Sequence, residues 1–184
     1  EQFAFVVYKG ELSRFHLKEE CELTEDTYAK IKEVLLKRAK LRAMHLLNDM
    51  ARTESQLRDK LKLGRLSIGD HRSGDCYVKS FGYINDDAYI RNFIDSRKDK
   101  KSRREIYAIL RQKGVDMNRA EEIMEEMYEE HSDQEAIREL LRKKHWDFAC
   151  TDPKEKQKIY GYLVRKGFRY EDIRQVIQVC DWNA

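Results

Sequence analysis

A segment of this chain occurs twice, and the recurrence decides what the chain can fold into. Ile106–Val115 aligns with Ile159–Phe168 at a shift of 53, and the same shift sets Ala120 on Ile173, Ile123 on Val176 and Met124 on Ile177. Apolar residues return at three- and four-residue intervals, so the repeated object is two helices and the turn between them. A weaker third copy lies upstream, with Leu57 and Leu61 in the places of Ile106 and Leu110. Thr53-x-x-Gln56 and Ser102-x-x-Glu105 read as capping boxes, and Asp152-Pro153-x-Glu155 supplies a cap with proline at the first helical position. Such residues satisfy helix-start N–H groups, at about 1 kcal/mol each. Gly114 and Gly167 fall where a helix ends and the backbone must take a positive φ.

Each pair of helices also needs one before it. For the second copy it starts at Asn85-Asp86-Asp87 and buries Tyr89, Ile90, Phe93 and Ile94. For the third, a capping box at Ser132-x-x-Glu135 leads into Ala136, Ile137, Leu140, Leu141 and then Trp146. For the first, Thr24-Glu25-Asp26 opens a long helix with Ile31, Leu35, Ala39, Ala43, Leu46, Leu47 and Met50 on one face. The start differs: apolar β-formers Phe3–Tyr8, then Lys9-Gly10, then Leu12–Leu17 read as a small β-hairpin. The expected fold is therefore all-α, tandem three-helix, helix-turn-helix-like repeats forming an elongated curved body, behind a hairpin over 1–24. The repeats are expected at 25–84, 85–131 and 132–184, and units this small must pack on their neighbours.

Composition agrees, since 39% charged residues with one proline and eight glycines suit amphipathic helices better than a sandwich or barrel. Net charge is only +3, yet the charge is patterned. Residues 91–115 hold nine Lys/Arg against three acids, 116–135 one against nine, and 138–169 ten against four. Alternating surfaces of this kind favour a partner of mixed or acidic surface over nonspecific duplex binding. The cysteines Cys21, Cys76, Cys150 and Cys180 are too far apart for a disulfide framework and read as reduced thiols. The five histidines never fall at i, i+3 or i, i+4 to one another or to a cysteine, so no structural zinc site is expected. No apolar run approaches a membrane span and the start lacks a basic leader region, so a cytoplasmic protein is expected. The first residue is Glu1, without an initiator methionine, as in a chain with residues missing upstream.

Four blocks then carry a resemblance: Thr53 to Leu61, Phe81-Gly82-Tyr83-Ile84-Asn85-Asp86-Asp87-Ala88-Tyr89, Arg111-Gln112-Lys113-Gly114-Val115, and Asp152-Pro153-Lys154 through Gly167-Phe168 to Ile173. In this order, over about residues 28–180, they resemble the RecX family. The resemblance implies a cytoplasmic bacterial regulator that binds along the groove of the RecA–single-stranded-DNA filament, and a monomer is expected. It implies bridging of neighbouring filament subunits, inhibition of strand exchange and coupled ATP hydrolysis, no cofactor and no active site. Independently, the chain has no phosphate-cradling G-x-x-x-x-G-K-[ST], no G-x-S-x-G and no H-E-x-x-H. Asp86-Asp87 is better read as a helix start than as a catalytic carboxylate pair. Two departures stand out: three glycines interrupt 64–76 where the third helix of the first repeat is expected, and Arg169 stands where Asp116 would cap the equivalent helix.

Candidate filament-facing cations are Arg97, Lys98, Lys100, Lys101, Arg103, Arg104, Arg111 and Lys113 in the second repeat. Arg142, Lys143, Lys144, Lys154, Lys156, Lys158, Arg165 and Lys166 are the candidates in the third. Repeats that engage adjacent filament subunits together would add modest contacts into avidity. The rival reading is a stand-alone DNA-binding protein whose Tyr107, Tyr160, Tyr162 and Trp146 stack on bases. Against it, these aromatics recur at core-facing spacing, and Glu121, Glu122, Glu125, Glu126, Glu129 and Glu130 would repel phosphate.

Overall fold

Apolar positions paired by the 53-residue shift are buried in both copies: Ile106 with Ile159, Leu110 with Leu163, Val115 with Phe168, Ala120 with Ile173, Ile123 with Val176 and Met124 with Ile177. The computed structural model describes residues 5–20, 22–64, 82, 84–128, 132–148 and 152–179. Among the described residues stand nine helices: α1 Lys9–Arg14, α2 Glu25–Asp49, α3 Glu54–Leu63, α4 Asp86–Asp95, α5 Arg103–Gln112, α6 Met117–Met127, α7 Ser132–Lys143, α8 Pro153–Arg165 and α9 Tyr170–Val179. The chain divides into two compact units, residues 1–86 and 87–184. In the second unit, Ile90, Phe93 and Ile94 of α4 join the buried faces of α5 and α6 in one core. Ala136, Ile137 and Leu141 of α7 join those of α8 and α9 in another. In the first unit, Ala39, Ala43 and Leu46 of α2 pack on Leu57 and Leu61 of α3. The α2 stripe is shorter than its spacing predicts, since Met50 is past the helix end and 54% exposed.

The expected N-terminal β-hairpin is absent, and no strand occurs among the described residues. Lys9–Arg14, which read as turn and second strand, form α1. The Tyr8 N–H donates to Glu11 Oε2 at 2.7 Å, which closes a first helical turn where the hairpin would reverse. A two-stranded ribbon alone is marginal in water, and α2 offers this segment a better anchor. Arg38 of α2 ion-pairs with Glu11, donates to the Val6 carbonyl at 3.4 Å and lies 4.0 Å from the Tyr8 ring centroid. Its guanidinium holds the Glu11 carboxyl below the usual range. Arg38→Met is expected to cost about 1–2 kcal/mol and to raise amide exchange selectively over residues 9–14. Unchanged exchange there would show that Arg38 does not anchor α1.

Helix starts reveal a device that spacing did not. Thr53 is buried, its hydroxyl accepts from Gln56 N, and Gln56 reaches back to the Thr53 N–H, which completes the predicted box. Ser102 accepts from Glu105 N at 3.1 Å, but the Glu105 carboxylate pairs with Lys101 instead of closing the box. The next donor along is met by an acid far away in sequence: Asp86 accepts from Glu54 N at 2.9 Å, and Asp133 accepts from Arg103 N at 3.0 Å. The third helix of this kind needs no such acid. Its N1 residue is Pro153, which has no N–H, and Asp152 accepts from Lys154 N at 3.0 Å. Asp86 and Asp87 are thus spoken for, the first at α3 and the second beneath Arg119, whose Nε and Nη2 lie 2.8 and 2.7 Å from one carboxylate oxygen. The glycine-rich interruption after Gly64, the start of α7 before Ser132 and all four cysteines lie outside the described residues.

Candidate partner-binding surface

Helix α8 ends against the start of α5, and that junction gathers the charges of interest. Gly167 takes φ +90, so the chain turns out of α8 with Phe168 N bonded to the Leu163 carbonyl at 3.2 Å. The turn presents the Lys166 carbonyl to Ser102, whose buried hydroxyl donates to it at 2.7 Å while still capping α5. A Cβ on Gly167 would stand 2.8 Å from Ser102 Oγ and 3.4 Å from Arg104 Cβ. Glycine is therefore required here for its bareness as well as for its backbone. On one side of this contact Arg104, Arg165 and Lys166 line a hollow of about 590 Å³. On the other, Arg103, Arg104 and Arg169 line a cleft of about 660 Å³ with Tyr128 and Asp133.

The sixteen predicted cations separate into two kinds. Lys98 pairs with Asp95, Lys101 with Glu105, and both Arg142 and Lys143 with Glu139. Arg97 lies 4.1 Å from the Phe93 ring centroid, Lys144 4.3 Å from that of Tyr162, and Lys113 5.8 Å from that of Phe93. These seven are largely neutralised or held at home. Lys156 is half-buried. Arg104, Arg165 and Lys166 make no ion pair among the described residues, and neither does Arg103, although its guanidinium lies 5.9 Å from the Tyr128 ring centroid. Lys100, Arg111, Lys154 and Lys158 are exposed, and Lys100 lines a separate hollow with Arg142. The surface that the structure assembles is thus the α5–α8 seam, narrower than the list of middle-helix cations.

Sequence reasoning missed Arg169 and Asp133. Arg169 carried a signal, since arginine in a capping position is out of place at a helix start. Asp133 carried none, because its partner is a backbone N–H thirty residues away. Burial pushes the Asp133 carboxyl up, Asp172 adds to this, and the Arg103 N–H, Arg169 and the Arg103 side chain pull it back. The folded chain therefore binds a proton at Asp133 more readily than the unfolded chain does. Its contribution to stability is greatest below the ordinary aspartate range and declines as pH rises through the raised value. Asp133→Asn keeps an oxygen for the Arg103 N–H and removes the titration. Urea unfolding between pH 3.5 and pH 7, roughly the span over which a raised carboxylate titrates, should show the stability of the parent falling relative to Asp133→Asn as pH rises. A constant difference would refute the assignment.

The aromatics offered for base stacking are occupied in packing. Tyr107 lies against the α4–α6 core, and Trp146, Tyr160 and Tyr162 lie against the α7–α9 core. The acidic face of α6 is partly answered from within, since Arg119 pairs with Glu122 and Arg91 with Glu126. Among the described residues no cluster of three or more His, Cys, Asp or Glu is placed to hold a metal. None of the described helices is long and apolar enough to cross a membrane.

Comparison with known proteins places this architecture. The family model for the third three-helix domain of RecX matches residues 132–177. The regulatory protein RecX of Caldanaerobacter subterraneus subsp. tengcongensis is 29% identical over 180 residues, 97% of this chain and 89% of that one. The regulatory protein RecX of Amycolatopsis mediterranei is 31% identical over 149 residues, 78% of this chain and 79% of its own. A crystal structure of regulatory protein RecX superposes with a TM-score of 0.63 at 23% identity, covering 95% of this chain and 89% of that one. RecX from Lactobacillus salivarius does so with 0.62 at 24% identity, covering 82% and 99%, and these two likenesses speak for the fold. With recurrent cores, matched caps and relatives of this length in agreement, the chain belongs to the RecX family of regulatory proteins.

Proposed function

We propose that this chain binds the RecA–single-stranded-DNA filament in its groove and restrains strand exchange and the coupled ATP hydrolysis, without catalysing a reaction itself. The observation that carries the reading is the α5–α8 seam. Arg103, Arg104, Arg165 and Lys166 lie around Gly167 with no ion pair among the described residues, while Lys98, Lys101, Arg142 and Lys143 are balanced by their own neighbours. Unpaired charge on a folded surface is available to a partner at once, whereas paired charge must first give up its own acid, at a modest cost. In this reading α4–α6 and α7–α9 are the repeats over 85–131 and 132–184, and each addresses a neighbouring filament subunit. Avidity then comes from several modest contacts. The bound chain occupies the groove where duplex DNA must enter, or favours a filament form that turns over slowly.

The discriminating experiment compares affinity for RecA-coated and for bare single-stranded DNA across a salt series. Tighter binding to the coated strand, by at least about tenfold near 0.15 M salt, supports the filament reading. Equal affinity with a steep salt slope would replace it by stand-alone nucleic-acid binding.

A further inference from the structure

The α7–α9 trio carries a hollow that the seam does not use. Arg138 and Arg142 stand one turn apart on α7, and with His145, Trp146 and Phe148 they line an open space of about 470 Å³. Every polar side chain on this wall can donate: two guanidiniums, an imidazole and an indole N–H. The three other hollows described in this unit each include carboxylates, from Glu121, Asp133 and Asp172, from Glu105, or from Asp99, Glu135 and Glu139. Among the described residues this one includes none, although Arg138 and Arg142 also border the hollow that holds Asp99, Glu135 and Glu139.

A second observation points the same way. The Trp146 Nε1–H is shut off from solvent and has no hydrogen-bond acceptor among the described residues. Buried donors are nearly always bonded, so an open one on a residue that lines this hollow marks a place where an acceptor is wanted. The rim of the hollow can adjust, since the Arg142 side chain is 77% exposed.

Charge narrows the ligand class. Arg142 is already paired with Glu139 at 2.7 Å, whereas Arg138 is exposed and makes no ion pair among the described residues. Glu139 is shared between Arg142 and Lys143, so the wall keeps net positive charge and suits an anion. The rings of Trp146 and Phe148 supply apolar walls, which a bare inorganic ion would leave unfilled. We infer that this hollow docks a carboxylate carried on an apolar stem, the chemistry of an acidic residue beside an aromatic or aliphatic one on a partner protein. The carboxylate lies between Arg138 and Arg142 and, as Arg142 swings onto it, accepts from the indole N–H. This site is independent of the seam and of what the seam binds.

Phenylacetate is a probe of that class. In a Trp182→Phe background, which leaves Trp146 as the single tryptophan, the indole ¹⁵N–¹H resonance is followed while phenylacetate, phenylacetamide or inorganic phosphate is added to the full chain. Phenylacetate should give a saturable shift at millimolar concentration, in keeping with so small a ligand, and the amide and phosphate should give none. Arg138→Gln should weaken the phenylacetate response by about tenfold, as loss of one charge-assisted bond does. Arg138 is exposed, so the variant keeps its fold, and the Trp146 resonance itself reports that. A shift of equal size from the amide or from phosphate overturns the proposal, as does a flat phenylacetate titration or unaltered affinity in Arg138→Gln.

Discussion

Gly167→Ala should lower the unfolding free energy by about 3 kcal/mol, the sum of a left-handed backbone conformation in a residue with a Cβ and the disruption of one buried hydrogen bond. The position is doubly constrained. Its φ of +90 lies where L side chains are strained, and the added Cβ would stand 2.8 Å from Ser102 Oγ. Relief requires Ser102 to withdraw, but Ser102 caps α5 and donates to the Lys166 carbonyl with the same hydroxyl. A short hydroxyl held by two hydrogen bonds does not give way as the end of a long flexible side chain would. Gly10→Ala supplies the opposite sign. Gly10 is inside α1 and a Cβ there meets nothing within 4 Å, so the change should be neutral or stabilise by up to about 1 kcal/mol. Urea unfolding of both variants decides. A loss below about 1 kcal/mol for Gly167→Ala, the cost of a merely unfavourable residue at a helix end, would mean that the α5–α8 contact is looser than described.

The second large effect concerns binding. Arg104→Glu, Arg165→Glu and Lys166→Glu together should weaken binding to RecA-coated DNA by about two to three orders of magnitude, from roughly 1–1.5 kcal/mol per reversed contact. Reversing Lys98, Lys101 and Lys143 instead should change it by no more than about tenfold, since each of these charges is already shared with an acid of the same chain. Net charge changes equally in the two variants, so the comparison isolates position from long-range attraction. Circular dichroism and urea midpoints establish that both remain folded. Equal losses would show that only total charge matters, and no loss in the seam variant would remove that surface from the mechanism.

The start of the chain shows how local preference can mislead. Phe3–Tyr8 and Leu12–Leu17 have the composition of strands, but the choice there was made by Glu11 closing a turn on Tyr8 and by Arg38 of α2 holding the segment. No pattern inside residues 1–24 records an arginine fourteen residues beyond them. The list of candidate cations failed in a related way. Lys101 and Arg104 are three residues apart on the same stretch, yet one is absorbed by Glu105 and the other faces a hollow. Formal charge is visible in a sequence, whereas its neutralisation depends on side-chain pairing in space.

Beyond residue 24 the sequence alone determined the described helices, their buried faces and their recurrence, because spacing at three and four residues is a local record of what must be buried. It also determined the helix-start residues Thr53, Ser102, Asp116 and Asp152, whose partners lie two or three residues away. Tertiary structure decided the contacts that tie one trio to the next: Asp133 on the Arg103 N–H, Ser102 on the Lys166 carbonyl, and Gly167 bare because Ser102 stands over it. The two hydrogen bonds join groups thirty and sixty-four residues apart in which one member is a backbone atom. Every residue carries such an atom, so its identity leaves no mark in the sequence, and only the folded chain selects which one is used.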